Sequence, residues 1–161
     1  MDWTATANTL VRFDVRGVDC HLPVGQVREV LLAPPLTRVF RAPPFLRGVV
    51  NIRGEVIPVL DPALLLGLEG RCRDGEPRML VVLDAGEVLA ALASCGDVGV
   101  RQVRGDQIGS PPVDLAIGAA ECVVGILSPE GEGHGPGLVL DGRRILALPA
   151  VAALRAGAAQ A

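Results

Sequence analysis

RGVVNIRGEVIPVLDPALLLGL, the run from Arg47 to Leu68, decides how the rest of the 161-residue chain is read. Val49, Val50 and Ile52 lead into Gly54-Glu55, a turn between two apolar β-prone runs. The chain then returns through Val56-Ile57-Pro58-Val59-Leu60, so the segment predicts a tight hairpin. Pro58 has no N–H to donate and marks an edge or bulge position. Asp61 can accept from the free backbone donors of a following helical turn, Pro62 suits its first position, and Gly67 suits the left-handed residue past its end.

Working outward, half of the chain is hydrophobic, enough for a core in one domain or two small subdomains. The 20 glycines and 13 prolines are scattered between short runs rich in valine, leucine and isoleucine, which predicts an all-β barrel or sandwich. A net charge of −3, a pI near 5.3 and only four aromatic residues, three phenylalanines and one tryptophan, exclude a nucleic-acid surface, which needs basic stripes and stacking platforms. Apolar runs such as Val88 to Ala93 fall far short of the roughly 20 residues of a membrane span. The first ten residues lack a basic region followed by an apolar core, so a cytoplasmic location without membrane insertion is expected. Cys20, Cys72, Cys95 and Cys122 form no CxxC pair, which argues against a zinc or redox motif and for buried free thiols.

Leu10 to Val15 alternates as a half-buried strand does, Arg16-Gly17-Val18-Asp19 supplies a turn, and Cys20 to Pro23 returns. Val24, Val27 and Leu31 have helical spacing, with an extended stretch expected from Val30 to Ala33. Ala33 to Pro44 holds two Pro-Pro pairs and predicts a surface loop, and Glu69 to Pro77 a polar one. Met79 to Leu83 reads as a strand buried on both faces, Asp84 to Glu87 as its turn, Val88 to Ser94 as its partner, and Val98, Val100 and Val103 as another strand. Ile108 to Gly118 is expected to be a loop, Cys122 to Leu127 extended, and the glycine-rich Ser128 to Gly137 a flexible connection. Leu138 to Leu140, Asp141-Gly142 and Ile145 to Leu148 predict a last hairpin, and Pro149 opens an alanine-rich helix to about Ala156. Residues 1–8 are expected to fray, with Trp3 able to pack back on the body. Gly48 to Leu66 and Gly125 to Leu154 share a pattern of glycine, aliphatic strand, turn, strand and leucine-bearing helix, the mark of two similar units.

These residues also carry a resemblance. PFLRGVVNIRGEVIPVLDPALLLGL, Pro44 to Leu68, resembles the signature of the CheW family of chemotaxis coupling proteins, an apolar-x-Gly-Val-x-Asn-Leu-Arg-Gly segment running into Ile-Pro-Val-Ile-Asp-Leu. LVRFDVRGVDCHLPVGQVREV, Leu10 to Val30, is similar to the family's opening hairpin and its Val-x-x-Val turn. The resemblance implies a single 1–161 domain of two small five-stranded SH3-like β-barrels with short helices, one of them C-terminal. The barrel regions are expected near 9–80 and 81–156, with strands shared between them. It implies a non-enzymatic cytoplasmic adaptor between the regulatory domain of a CheA-type histidine kinase and the tips of chemoreceptors in an array. The family's kinase contact falls on Val27 and Gly48, and its signalling-critical acid and arginine fall on Glu29 and Arg53. Val49, Asn51 and Gly54 complete the expected protein-binding set, and receptor tips are expected in an apolar groove between the barrels. Departures lie in the second half, in Ala91 to Cys95, in Leu148-Pro149 and in the glycine-rich insertion.

Two other functions stand beside this one: an adaptor of a specialised pathway with altered kinase contact, and a small ligand-binding barrel. His21 and His134 have no ligand or nucleophile spacing to a cysteine or acid, and Asp61 and Asp84 read as a helix cap and a turn residue. No phosphate-cradling loop, cofactor site or metal site is expected, and titratable residues are not expected to converge in a concave pocket. Gly48→Asp is expected to break kinase binding while leaving the fold intact.

Overall fold

Two arginine–glycine turns set the register of the fold. Strands β1 (Ala7–Val15) and β2 (Val18–Pro23) are joined by Arg16 and Gly17, and β4 (Leu46–Ile52) and β5 (Glu55–Leu60) by Arg53 and Gly54. The φ angles are 51° and 91° in the first turn and 50° and 86° in the second, so both are two-residue type I′ turns. In each, an Asp or Asn three residues ahead holds the glycine: Asp14 accepts from the Gly17 N–H at 2.6 Å and Asn51 from the Gly54 N–H at 2.9 Å. The second turn therefore lies one residue earlier than the expected Gly54-Glu55, and Ile52 pairs with Glu55.

The computed structural model describes residue 3 and residues 7–70, 75, 77–129 and 135–159. Cys72, His134 and the middle of the glycine-rich insertion lie outside them. The remaining elements are β3 (Val27–Leu32), α1 (Pro62–Leu66), β6 (Met79–Asp84), β7 (Leu89–Ser94), β8 (Gly99–Arg104), β9 (Ile108–Gly109), α2 (Ile117–Cys122), β10 (Val123–Leu127), β11 (Gly137–Leu140), α3 (Gly142–Ala147) and α4 (Pro149–Ala159). They form two sheets, β3-β6-β7-β5-β4 and β8-β1-β2-β11-β10-β9. The sheets do not divide the chain near residue 80, because β1 and β2 pair with the C-terminal strands. The second sheet carries a sixth strand of two residues in addition to the expected five.

The two sheets repeat one plan. A bulged antiparallel hairpin, β4–β5 or β10–β11, joins in parallel to a second hairpin, β7–β6 or β2–β1, which is flanked in turn by β3 or β8. Gly48 and Gly125 each follow the bulge, and Asp61 and Asp141 each end the hairpin and cap a helix. Asp61 accepts from the Ala63 N–H, Pro62 opens α1, and Gly67 closes it at φ 68°. Asp141 accepts from the Arg143 N–H and starts α3, so Gly142 to Ala147 is helical where a returning strand was expected. A helix-capping aspartate has the sequence sign of a turn residue. α2 was also missed, β3 starts at Val27 after a single 3₁₀ turn, and β2 starts at Val18. α4 opens at Pro149 as expected.

Pro58 sits on an inner strand, not an edge. Toward β4 no N–H is needed, because its partner Val49 spends its own N–H and C=O on Thr37, at 2.8 and 3.0 Å, and toward β7 the parallel pairing runs from Val59↔Ala91, beyond Pro58.

Three apolar clusters follow from the alternation along the strands. The largest lies between the sheets and joins Val11, Phe13, Val15 and Leu22 to Val81, Leu83 and Leu92, with α1, α2 and α3 closing it. Leu80 and Val82 point the other way, into the first barrel, and Leu10 and Val103 into the second, where Trp3 packs. Met79 to Leu83 is thus apolar on both faces because it separates two cores. Cys20 and Cys122 are buried free thiols whose ionisation is pushed up by burial, that of Cys122 to about 11. Cys95 departs from the expectation: it is disulfide-bonded, and sequence spacing could not show what the fold would bring to the end of β7.

Asp61 and Asp141 differ in one respect that makes a test. The Asp61 carboxylate, 7% exposed, pairs with Arg16 at 2.6 Å and Arg47 at 3.6 Å. Asp141 meets the Gln26 amide at 3.0 Å and Arg144 at 3.7 Å. Asp61→Ala removes a cap and strands a largely buried arginine, at a cost of about 3 kcal/mol, whereas Asp141→Ala costs about 1–2 kcal/mol. Urea unfolding of both variants checks this, and equal costs would remove the arginines from the account.

Candidate functional site

The expected protein-binding residues fall in three places on the first barrel. At the tip of the β4–β5 hairpin, Arg53 reaches across to Glu29 on β3, and Glu55 meets Arg28 at 2.8 Å. Consecutive strand residues ordinarily face opposite ways, but a bulge between Val27 and Glu29 inserts Arg28 and re-aims its side chain, so Arg28 and Glu29 both meet the hairpin. Asn51 holds the turn through Gly54. The two ion pairs join an edge strand to the hairpin at the opposite end of the sheet order, which closes the barrel on this side.

Further along β4, Gly48 is buried at φ 149°, and a Cβ there would lie 2.6 Å from the carbonyl oxygen of Thr37. Its lack of a side chain lets the 33–44 loop lie on β4, where Thr37 bridges Val49. Gly48→Asp therefore cannot leave the fold intact, contrary to expectation: it pushes the loop off the strand. Val27, at the start of β3, is half-buried against the main core. Gly48 and Val27 shape the surface from beneath, while Arg53, Gly54 and Asn51 stand on it.

Sequence reasoning missed the apolar side of this face. Phe40 on the 33–44 loop is 87% exposed and Val56 on β5 is 68% exposed. Both line an open groove of about 820 Å³ with Val49, Pro58, Leu89 and Leu154, which runs from the first barrel to α4. Arg41 lies over the Phe40 ring at 5.4 Å. A lone phenylalanine between two Pro-Pro pairs was the available signal, since a turn-rich loop has no interior in which to bury it.

The expectation that titratable residues do not converge in a concave pocket fails in the second barrel. Arg12, Asp19, His21 and Arg101 converge with Gly99 and Gly137 on a cavity of about 390 Å³ in the second barrel. Arg12 pairs with Asp19 at 2.8 Å. The His21 ring is buried, its Nδ1 lies 3.2 Å from the Leu138 carbonyl, and its Nε2 has no partner. Burial holds the imidazole below its ordinary pKa, partly offset by the Leu138 carbonyl and reinforced by Arg101. Among the described residues no group of three or more His, Cys, Asp or Glu side chains could hold a metal ion. No helix among them is long and apolar enough to cross a membrane.

Residues 9–150 match the model of the CheW-like domain, so the chain belongs to the CheW-like family of scaffolding and adaptor proteins. It is 34% identical over 119 residues to Protein FrzA of Myxococcus xanthus, covering 74% of this chain and 73% of that one. To Chemotaxis protein CheW of Klebsiella aerogenes it is 27% identical over 114 residues, 71% and 68% of the two chains. The scaffolding protein TtCheW of Thermoanaerobacter tengcongensis shares the fold, with a TM-score of 0.72 at 20% identity over 90% of this chain and 96% of that one. The two β-barrels expected from the resemblance are those of this fold.

Two measurements test the site. Arg53 is 67% exposed and Glu29 22%, so a double-mutant cycle with Arg53→Ala and Glu29→Ala should give a coupling of about 0.2–1 kcal/mol that molar salt removes. A coupling that survives salt would mean a drier pair than this one. For His21, the unfolded imidazole takes up a proton before the folded one, so stability should be level above about pH 6.5 and fall as pH drops below it. His21→Gln should flatten that limb of the urea-midpoint profile, and an unchanged profile would show that His21 is not the group responsible.

Proposed function

We propose that this protein is a non-catalytic cytoplasmic adaptor of a chemosensory array, joining the tips of chemoreceptors to the regulatory domain of a CheA-type histidine kinase. The observation that carries it is the family match over residues 9–150 on a face with the geometry of a binding surface. On that face, the charged tip built by Arg28, Glu29, Arg53 and Glu55 stands on the same barrel as the exposed Phe40 and Val56. Exposed apolar side chains rimmed by charge are the usual make-up of a protein contact, the apolar part supplying affinity and the charges orientation.

In this reading the kinase domain takes the charged tip, with Val27 and Gly48 holding β3, β4 and the 33–44 loop in place behind it. The receptor tip takes the groove of Phe40, Val56 and Leu89. The cavity around His21 lies on the other barrel and has no part in either contact. The departures from the family pattern in Ala91 to Cys95, at Leu148-Pro149 and in the glycine-rich insertion favour, as a second reading, an adaptor of a specialised pathway whose kinase contact is altered.

Pull-down with a kinase regulatory domain and a receptor tip tests both. Phe40→Asp, at an exposed position, should leave the melting temperature unchanged and cut receptor-tip binding at least tenfold. Arg53→Glu places two acids together at the tip and should cut kinase binding in the same way. Receptor binding without kinase binding by the parent chain selects the second reading. Failure of the parent to bind either partner overturns the proposal.

A further inference from the structure

The Arg28 bulge and the ion pair it allows have no counterpart in the sister barrel. The capping aspartates Asp61 and Asp141 align the two sheets, so that the row Val59, Ala91, Val82, Glu29 answers to the row Val139, His21, Arg12, Gly99. β8 begins at Gly99, so Val27 and Arg28, which β3 adds ahead of that row, belong to the first barrel alone. Counted back from the two aspartates, Glu55 answers to Gly135. The second barrel has glycines where the first carries Glu29 and Glu55, and the plan common to both requires neither ion pair. Stability does not require them either, since pairs this exposed contribute little and the bulge that brings Arg28 round interrupts the ladder. Charges that fold and stability can both do without, set at an exposed turn, serve what the turn meets.

In each pair the hairpin member stands farther out. The Arg53 side chain is 67% exposed against 22% for Glu29, and that of Glu55 51% against 35% for Arg28. The β3 residues are braces, and the charges that meet a partner are Arg53 and Glu55, positive and negative, on either side of Gly54. Opposite charges in a fixed order make a demand that a single charge does not. A surface with an acid for Arg53 and a base for Glu55 fits both, whereas a surface of acids alone is drawn by one and repelled by the other. The braces sharpen this choice: a free side chain swings away from a mismatched charge, and one already held in an ion pair keeps its place.

We propose that Glu55 and Arg28 make the tip selective for its kinase, whose regulatory domain presents an acid opposite Arg53 and a base opposite Glu55. Glu55 is the residue recognised. Arg28, turned toward the hairpin by its bulge and 2.8 Å from the Glu55 carboxylate, is a positioning residue. The inference rests on the reading of the tip as the kinase contact and adds to it the order of charges that the kinase must supply.

Two double variants of the full chain separate recognition from support. Arg28→Glu with Glu55→Arg keeps an ion pair and reverses its polarity, while Arg28→Gln with Glu55→Gln removes both charges. At low ionic strength the kinase regulatory domain should bind the neutral form about threefold and the reversed form at least tenfold more weakly than the parent, and molar salt should collapse the spread. A purely supporting role predicts the opposite order of the two variants, because only the reversed form retains a pair. Melting temperatures establish that each form is folded. Should the reversed form melt early, the single changes decide: Glu55→Gln, which loses the recognised charge, should weaken binding more than Arg28→Gln, which loses only the brace. A folded reversed form that binds like the parent, a neutral form that binds more weakly than the reversed one, a spread that molar salt leaves intact, or equal losses in the two single changes overturns the inference. A parent chain that binds no kinase domain overturns the reading of the tip itself.

Discussion

The Asp61 carboxylate is the point through which the two sheets are tied. Its backbone N–H is held by the Phe45 carbonyl at 2.7 Å, one of its oxygens caps α1, and the other draws in Arg16 from the turn of the N-terminal hairpin. A carboxylate this deeply buried is stable only where its charge and its lone pairs are met, and here two arginines and a helix terminus meet them. Arg16 can reach it because the type I′ turn forces that residue to positive φ and swings its side chain out of the β1–β2 sheet. A local turn requirement thereby becomes a contact between distant parts of the chain. The main core, which draws on both sheets, forms around the alignment this contact maintains.

Much of this was legible. The hairpin, the cap at Asp61 and the left-handed Gly67 each rest on one residue type with one physical reason to be there, and each stands where expected. The N-I-R-G and D-V-R-G motifs could have placed both turns, since an Asp or Asn that accepts from a glycine three residues later fixes the register. The errors came where two structures share one sequence sign. Asp141-Gly142 suits a hairpin turn and a helix start equally, and only the burial of Ile145 and Leu146 against the neighbouring helices decides between them. Pro58 marks an edge or a bulge in sequence, and only the partner strands, invisible there, put it on an inner strand beside the β4 bulge. At the site, the Arg53–Glu29 pair came from family resemblance, whereas the Arg28 bulge and the Phe40 groove needed coordinates.

The internal repeat shows how one plan is put to two uses. Gly48 and Gly125 do the same work: a side chain at either would strike the segment laid over it, Leu36-Thr37 in one barrel and Ile108-Gly109 in the other. The interiors then diverge. The first barrel fills its mouth with aliphatic side chains and turns its outside to partners, while the second leaves its mouth polar. The repeated plan keeps what the backbone needs, while the side chains that fill the space differ.

The exchange of β1 and β2 into the C-terminal sheet also sets the order in which the molecule can be assembled. His21 meets Leu138 across 117 positions of chain. At ribosomal rates of about 5–20 residues per second, the N-terminal hairpin waits roughly 6–23 s for its partner strand to be made. During that interval β3 to β7, contiguous in sequence, can already form a complete sheet, whereas β1 and β2 have emerged with an unpaired edge and an uncovered apolar face. The nascent chain is most exposed to misassembly at its beginning, and the last strands to emerge complete the sheet that the first ones began.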